Sequence, residues 1–208
     1  MHCTLAIEWD NLRLAELGRA RAMANVLREE VRAWEAHGGQ VQTLVLYDPG
    51  VVDREQPRAV LRQAGFDQAW IDQAVIGVPG ARYYDLKNHA AALAQAPVLV
   101  FLDSDVVPEP GWLAAMLEPF ADPATDVVAG TAYIEPTNWY TRSMAALWLF
   151  PPRSCDTESI GPATRFFANS VAFRTEVFRA HRFPTERRFR GQCGSLARTL
   201  LEQRYGLR

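Results

Sequence analysis

Lysine is almost missing from this chain. Of its 22 basic residues only Lys87 is a lysine, and the others are arginine. Arginine enrichment follows genome composition as readily as phosphate binding, so by itself it points nowhere. A surplus of either charge is also lacking, because the formal net charge is -2. That leaves no electrostatic basis for binding nucleic acid or an anionic membrane surface. Cysteine is scarce and scattered: Cys3, Cys155 and Cys193 form no CxxC pair, which argues against a disulfide framework or a zinc ribbon and suits a reducing cytoplasm. The start, Met1-His2-Cys3-Thr4-Leu5, has no basic segment followed by a long apolar one, so no signal peptide is expected. The apolar stretch Met144–Phe150 is too short to span a bilayer. His2, His37, His89 and His181 show no ligand spacing, with His181 at most a distant third metal ligand. Ser170 lacks a nucleophile-elbow context, which speaks against serine hydrolysis. The expectation is a cytoplasmic protein without a transmembrane segment.

What is present is ordinary for a globular chain: 208 residues, 49% hydrophobic and 22% charged, enough for one well-buried α/β domain. Cys3–Ile7 reads as a strand and Leu12–His37 as a long amphipathic helix ended by Gly38-Gly39. Val41–Tyr47 reads as a strand turned by Asp48-Pro49-Gly50, Asp53–Ala64 as a helix and Ala74–Val78 as a weaker strand. Tyr83–Gln95 reads as a helix, and Pro110 opens another that runs to Phe120. Asp126–Tyr133 and Arg165–Arg174 read as strands, and Asn138–Phe150, Thr175–Ala180 and Gly191–Tyr205 as helices. Strands alternating with helices predict an open, mostly parallel sheet covered on both faces. Pro151–Pro162 is an irregular, loop-like region. Trp139, Tyr140 and Trp148 keep a helical spacing that favours core packing over a sugar-stacking platform.

The most informative stretch is Val98-Leu99-Val100-Phe101-Leu102-Asp103-Ser104-Asp105. The apolar run reads as a strand buried on both faces. Side chains at i and i+2 point the same way, so Asp103 and Asp105 can converge at the carboxyl edge of the sheet, where open α/β sheets bind ligands. Two close carboxylates repel unless a cation joins them, and Mg²⁺ or Mn²⁺ prefers oxygen ligands and bridges to phosphates. A metal–diphosphate site is one reading. Two polar residues that merely open a loop are the other.

Asp85-Leu86-Lys87-Asn88-His89-Ala90-Ala91-Ala92-Leu93-Ala94, leading into the Asp103-Ser104-Asp105 strand, resembles the helix–strand–DxD segment of family-2-type glycosyltransferases. Pro110-Gly111-Trp112-Leu113, Val127-Val128-Ala129-Gly130 and Ala168-Asn169-Ser170-Val171-Ala172-Phe173-Arg174 are similar to later segments of the same family. The resemblance implies a single GT-A-like α/β domain over 1–208, with a donor half of about 1–107 and an acceptor half of about 108–208. It implies transfer of a sugar from a nucleoside diphosphate, such as a UDP- or GDP-sugar, to a carbohydrate or lipid-linked acceptor, at the inner face of a membrane or free of it. Asp103 and Asp105 would hold a divalent cation, Mn²⁺ or Mg²⁺. Asp48 would contact the nucleobase, and Lys87, Asn88 and Ser104 would line the donor pocket. Trp9 has two readings, a base-stacking ring or a buried core residue. Arg188 and Arg190 have two readings, contact with the diphosphate or a solvated basic loop.

Two departures stand out. Where the family usually reads Pro-Thr-Tyr-Asn after the first strand, this chain has Glu8-Trp9-Asp10-Asn11. Where the family has Gly-Glu-Asp before a late helix, this chain has Gly191-Gln192-Cys193-Gly194. Glutamine takes no proton, which leaves Asp156, Glu158, Glu186 or a thiolate at Cys193 as the candidate base. The chain also stops at Arg208, where family members continue, as in a trimmed or minimal member. A module that binds the nucleotide sugar without transferring it is the alternative. A HAD-type phosphatase also begins with a strand followed by Asp-x-Asp, but it needs a later lysine that this chain lacks.

Overall fold

The apolar runs become the middle of a six-stranded sheet. A computed structural model describes residues 1–10, 17–133, 139–140, 143, 161–185 and 191–208. Strand β1 (His2–Glu8) lies between β2 (Gln40–Tyr47) and β4 (Val98–Asp103), parallel to both. The short β3 (Val75–Gly77) pairs parallel to β2. Beyond β4 the direction reverses: β6 (Ser170–Arg174) is antiparallel to β4 and to β5 (Val127–Ala129), giving the order β3-β2-β1-β4-β6-β5. The last residues return alongside β5, with Arg208 N–H donating to Val127 O at 2.9 Å and Ala129 N–H to Arg208 O at 2.8 Å.

The helices cover both faces. Residues Cys3, Leu5 and Ile7 of β1 point to one side and pack with α1 (Leu17–Ala36), whose stripe Ala20, Met23, Ala24, Leu27 and Val31 is buried. Helices α2 (Glu55–Gln63), α3 (Gln68–Ala74) and α5 (Trp112–Leu117) contribute to the same side, and a 3₁₀ turn over Glu118–Ala121 follows α5. On the other side Ala6, Leu44, Leu99 and Phe101 meet α4 (Tyr83–Leu93), α6 (Thr175–Ala180) and α7 (Gln192–Glu202). Phe101 is at the centre there, with ring centroids 4.9 Å from Phe178 and 6.0 Å from Phe173 in edge-to-face geometry.

Several expectations shift. Helix α3 was not read from the sequence, although Asp67 caps it by accepting from Trp70 N–H at 2.8 Å. The strands predicted over 126–133 and 165–174 shrink to Val127–Ala129 and Ser170–Arg174. The final helix ends at Glu202, and Arg204 then turns the chain with φ 65. The helix and loop read over 138–162 lie largely outside the described residues. Trp139 and Tyr140 are described, and they are 80% and 59% exposed, so the core role expected for them is not what the fold gives.

Candidate functional site

Parallel strands deliver their carboxyl ends to one edge. Asp48 directly follows β2, Glu8 ends β1 and Asp103 ends β4, and Glu8 is in register with Asp103. Acidic residues therefore stand in a row along the edge where open α/β sheets take ligands.

Asp103 is 4% exposed and firmly held. Lys87 Nζ lies 2.7 Å from its Oδ1, and the Tyr83 hydroxyl donates to Oδ1 at 2.9 Å and to Oδ2 at 2.8 Å. Lys87 is 1% exposed, and its ammonium also faces the Tyr83 and Phe101 rings at 4.6 and 5.3 Å. Both partners come from α4, one turn apart, which is how a helix presents i and i+4 to one neighbour. Burial drives the Glu8 carboxyl well above its usual range, the charge of Asp103 adds to this, Lys87 opposes it, and Asp105 contributes a smaller push upward. The same causes, burial first and then the charge of Asp103, raise the Tyr83 phenol. The Lys87 ammonium thus acts on both Asp103 and Glu8.

This donor set is made of hard oxygens, and it fits a divalent cation. Among the described residues, no three His, Cys, Asp or Glu side chains are arranged to hold a metal by themselves. Such ions commonly take one or two carboxylates and complete their shell with phosphate and water. Asp105, two residues beyond Asp103, is half-buried. Both Asp103 oxygens are already engaged by Tyr83 and Lys87.

The other expected site residues divide. Asp48 Oδ1 accepts from Gly50 N–H at 2.9 Å and Gly80 N–H at 3.0 Å, fixing the loop ends beyond β2 and β3. Trp9 is fully buried in the core, so of its two readings the core residue is the one the fold gives, and the base-stacking role is corrected. Ser104 is also fully buried, so its side chain does not line a pocket. Asn88 turns away from the edge: its amide donates to Phe183 O at 2.9 Å and accepts from Phe183 N–H at 3.0 Å. Cys193 is half-buried beside the Tyr84 hydroxyl at 3.5 Å, and burial raises its thiol pKa. A raised thiol stays protonated at neutral pH, so Cys193 is a poor base. His181 pairs with the Tyr205 hydroxyl at 3.3 Å, and the Ser170 hydroxyl accepts from the Trp112 indole at 3.0 Å. Asp156, Glu158, Glu186, Arg188 and Arg190 lie outside the described residues, as does Asn11. Tyr83 and Glu8 were missed in the sequence. The i, i+4 spacing of Tyr83 and Lys87 was the available signal for the first, and the matched ends of two parallel strands for the second.

Residues 82–182 match the family model for Glycosyl transferase family 2. The chain carries a family 2 glycosyltransferase segment. That segment contains Tyr83, Lys87, Asp103 and Asp105 together, and it displaces the phosphatase reading. Among solved structures, the fold is shared with the mannosyltransferase PcManGT from Pyrobaculum calidifontis in complex with GDP-Man and Mn²⁺. The TM-score is 0.64 at 18% identity, covering 99% of this chain and 53% of that one. Glucosyl-3-phosphoglycerate synthase from Mycobacterium tuberculosis, in complex with phosphoglyceric acid, gives 0.61 at 15% identity, covering 99% and 68%. S. aureus TarS 1-349 gives 0.61 at 12% identity, covering 100% and 58%. The chain thus spans between about half and two thirds of the length of these proteins. No curated protein matches it. The sheet with its antiparallel β6 is the GT-A arrangement, and no described helix is long and apolar enough to cross a membrane.

Proposed function

We propose that the acidic edge binds a nucleoside-diphosphate sugar with a divalent cation, and that the chain transfers the sugar to an acceptor hydroxyl. The observation that carries this is the pairing of a fixed Asp103 with Asp105 two residues on, inside the family 2 segment. Asp105 would hold the cation, with Asp103 alongside. When bound, the cation supplies charge that stabilises the departing diphosphate. Lys87 and Tyr83 hold the Asp103 carboxylate in place, so the loop beginning at Ser104 leaves the sheet in a defined direction. The rigid Asp48 carboxylate, at the same edge, suits a nucleobase N–H. UDP and GDP are both admissible nucleotides, and a carbohydrate or lipid-linked alcohol is the acceptor class.

The measurement is calorimetric titration of Mn²⁺ with GDP, and separately with UDP. Asp105→Asn should weaken metal-dependent nucleotide binding by about tenfold or more, the scale on which even outer-shell partners of a metal act. Binding equal to the wild type would reject the assignment. Gln192-Cys193 where the family reads Glu-Asp, with burial raising the Cys193 thiol, favours a second reading, in which the donor is bound but not transferred. Metal-dependent nucleotide binding with no donor hydrolysis and no transfer would select it.

A further inference from the structure

Glu30 is a buried carboxylate that the edge site does not use. It lies on the core-facing stripe of α1 between Leu27 and Val31, only 8% exposed, where an unsatisfied charge is strongly disfavoured. Its partners are backbone amides from another part of the chain. Gly111 N–H donates to Oε1 at 2.7 Å, and Leu113 N–H donates to Oε2 at 2.9 Å. These are orphan donors at the start of α5. The residue before a helix normally caps them with its own side chain. Here that residue is Gly111, at φ 84, with no side chain to give, and the carboxylate arrives from α1 instead.

What α5 terminates is the loop that carries Asp105. At its near end Val106 N–H donates to Asp103 O at 3.1 Å. Farther on, the Tyr133 hydroxyl donates to Glu109 Oε1 at 2.6 Å, and Trp112 N–H donates to Glu109 O at 3.0 Å. The Trp112 indole holds Ser170, over which Gly130 passes so closely that a Cβ there would sit 2.1 Å from the Ser170 hydroxyl. A cap taken from within the loop would move with the loop. A cap from α1 ties it to the core.

We propose that Glu30 is a positioning residue for Asp105: by capping α5 from α1 it fixes the far end of loop 104–111, and with it the place of Asp105 beside Asp103. This rests on the metal–diphosphate reading above. Both carboxylate oxygens are required. A carboxamide has one acceptor oxygen and turns an N–H₂ toward one of the two amides.

The test uses the full chain and Mn²⁺ with GDP or UDP, at a temperature where circular dichroism shows every variant folded. Glu30→Gln should weaken Mn²⁺-dependent nucleotide binding about tenfold, as loss of an outer-shell support does. Leu27→Ala, one turn away on the same stripe, should lower the melting temperature and leave that binding unchanged. Glu30→Asp, which keeps both oxygens, should fall between Glu30→Gln and the wild type, and it carries the comparison if Glu30→Gln does not fold. Binding by Glu30→Gln equal to the wild type, or equal weakening by Leu27→Ala, overturns the proposal. A wild type with no Mn²⁺-dependent nucleotide binding, or an Asp105→Asn variant that binds as well, is a different result. It removes the site reading itself and the positioning role with it.

Discussion

Lys87, the chain's one lysine, pairs with Asp103, and the consequence is energetic before it is functional. Both side chains are out of solvent, at 1% and 5% exposure. Removing one partner of such a pair leaves an uncompensated buried charge, which costs about 3–5 kcal/mol. Lys87→Met keeps the length of the side chain and removes the charge. Its melting temperature should fall by on the order of 10 °C in thermal denaturation, given roughly 2–4 °C per kcal/mol for a chain of this size. A change of a degree or two would reject this account of the pair. The sequence named both residues, but it set Lys87 facing a donor ligand. Spacing tells which side chains share a helix face; it does not tell that the nearest anion is the protein's own.

At the scale of elements, α4 joins the two halves. Tyr83 and Lys87 reach β4, Tyr84 reaches Cys193 near the start of α7, and Asn88 brackets the backbone of Phe183. The helix, the strand after it and the acidic pair were legible because their hydrophobic periods are long and clean. The destination of Asn88 was not, since its partner lies 95 residues away and is a main-chain group that any residue would supply. Helix α3 and the shortened β5 and β6 escaped for a related reason: a brief element carries too few residues for its period to show. If Asn88 is a brace, Asn88→Ala should cost about 1–3 kcal/mol through the two orphaned Phe183 groups and leave nucleotide affinity unchanged. Chemical denaturation beside nucleotide titration measures both. Weaker nucleotide binding with undiminished stability would return Asn88 to the donor pocket.

At the scale of the whole molecule, β4 belongs to everything. It is the edge of the parallel strands, the partner of antiparallel β6 and the strand that ends in Asp103. The expected division near residue 107 falls just after it, yet Phe101 on β4 packs against Phe173, Phe178 and Phe183 from beyond that division. Halves that share a core of interlocked aromatic rings cannot open independently without exposing it. Truncating a buried phenylalanine costs about 3–5 kcal/mol, a large part of the 5–15 kcal/mol that holds a domain folded. Phe101→Ala should therefore lower the unfolding of both halves together: near-ultraviolet and far-ultraviolet dichroism should lose signal in one coincident transition, at a lower temperature than the wild type. Two separated transitions, with only one of them displaced, would show that the donor and acceptor halves fold as separate units. In that case the aromatic cluster would be an interface between domains, and Asp103 would owe its fixed position to α4 and β1.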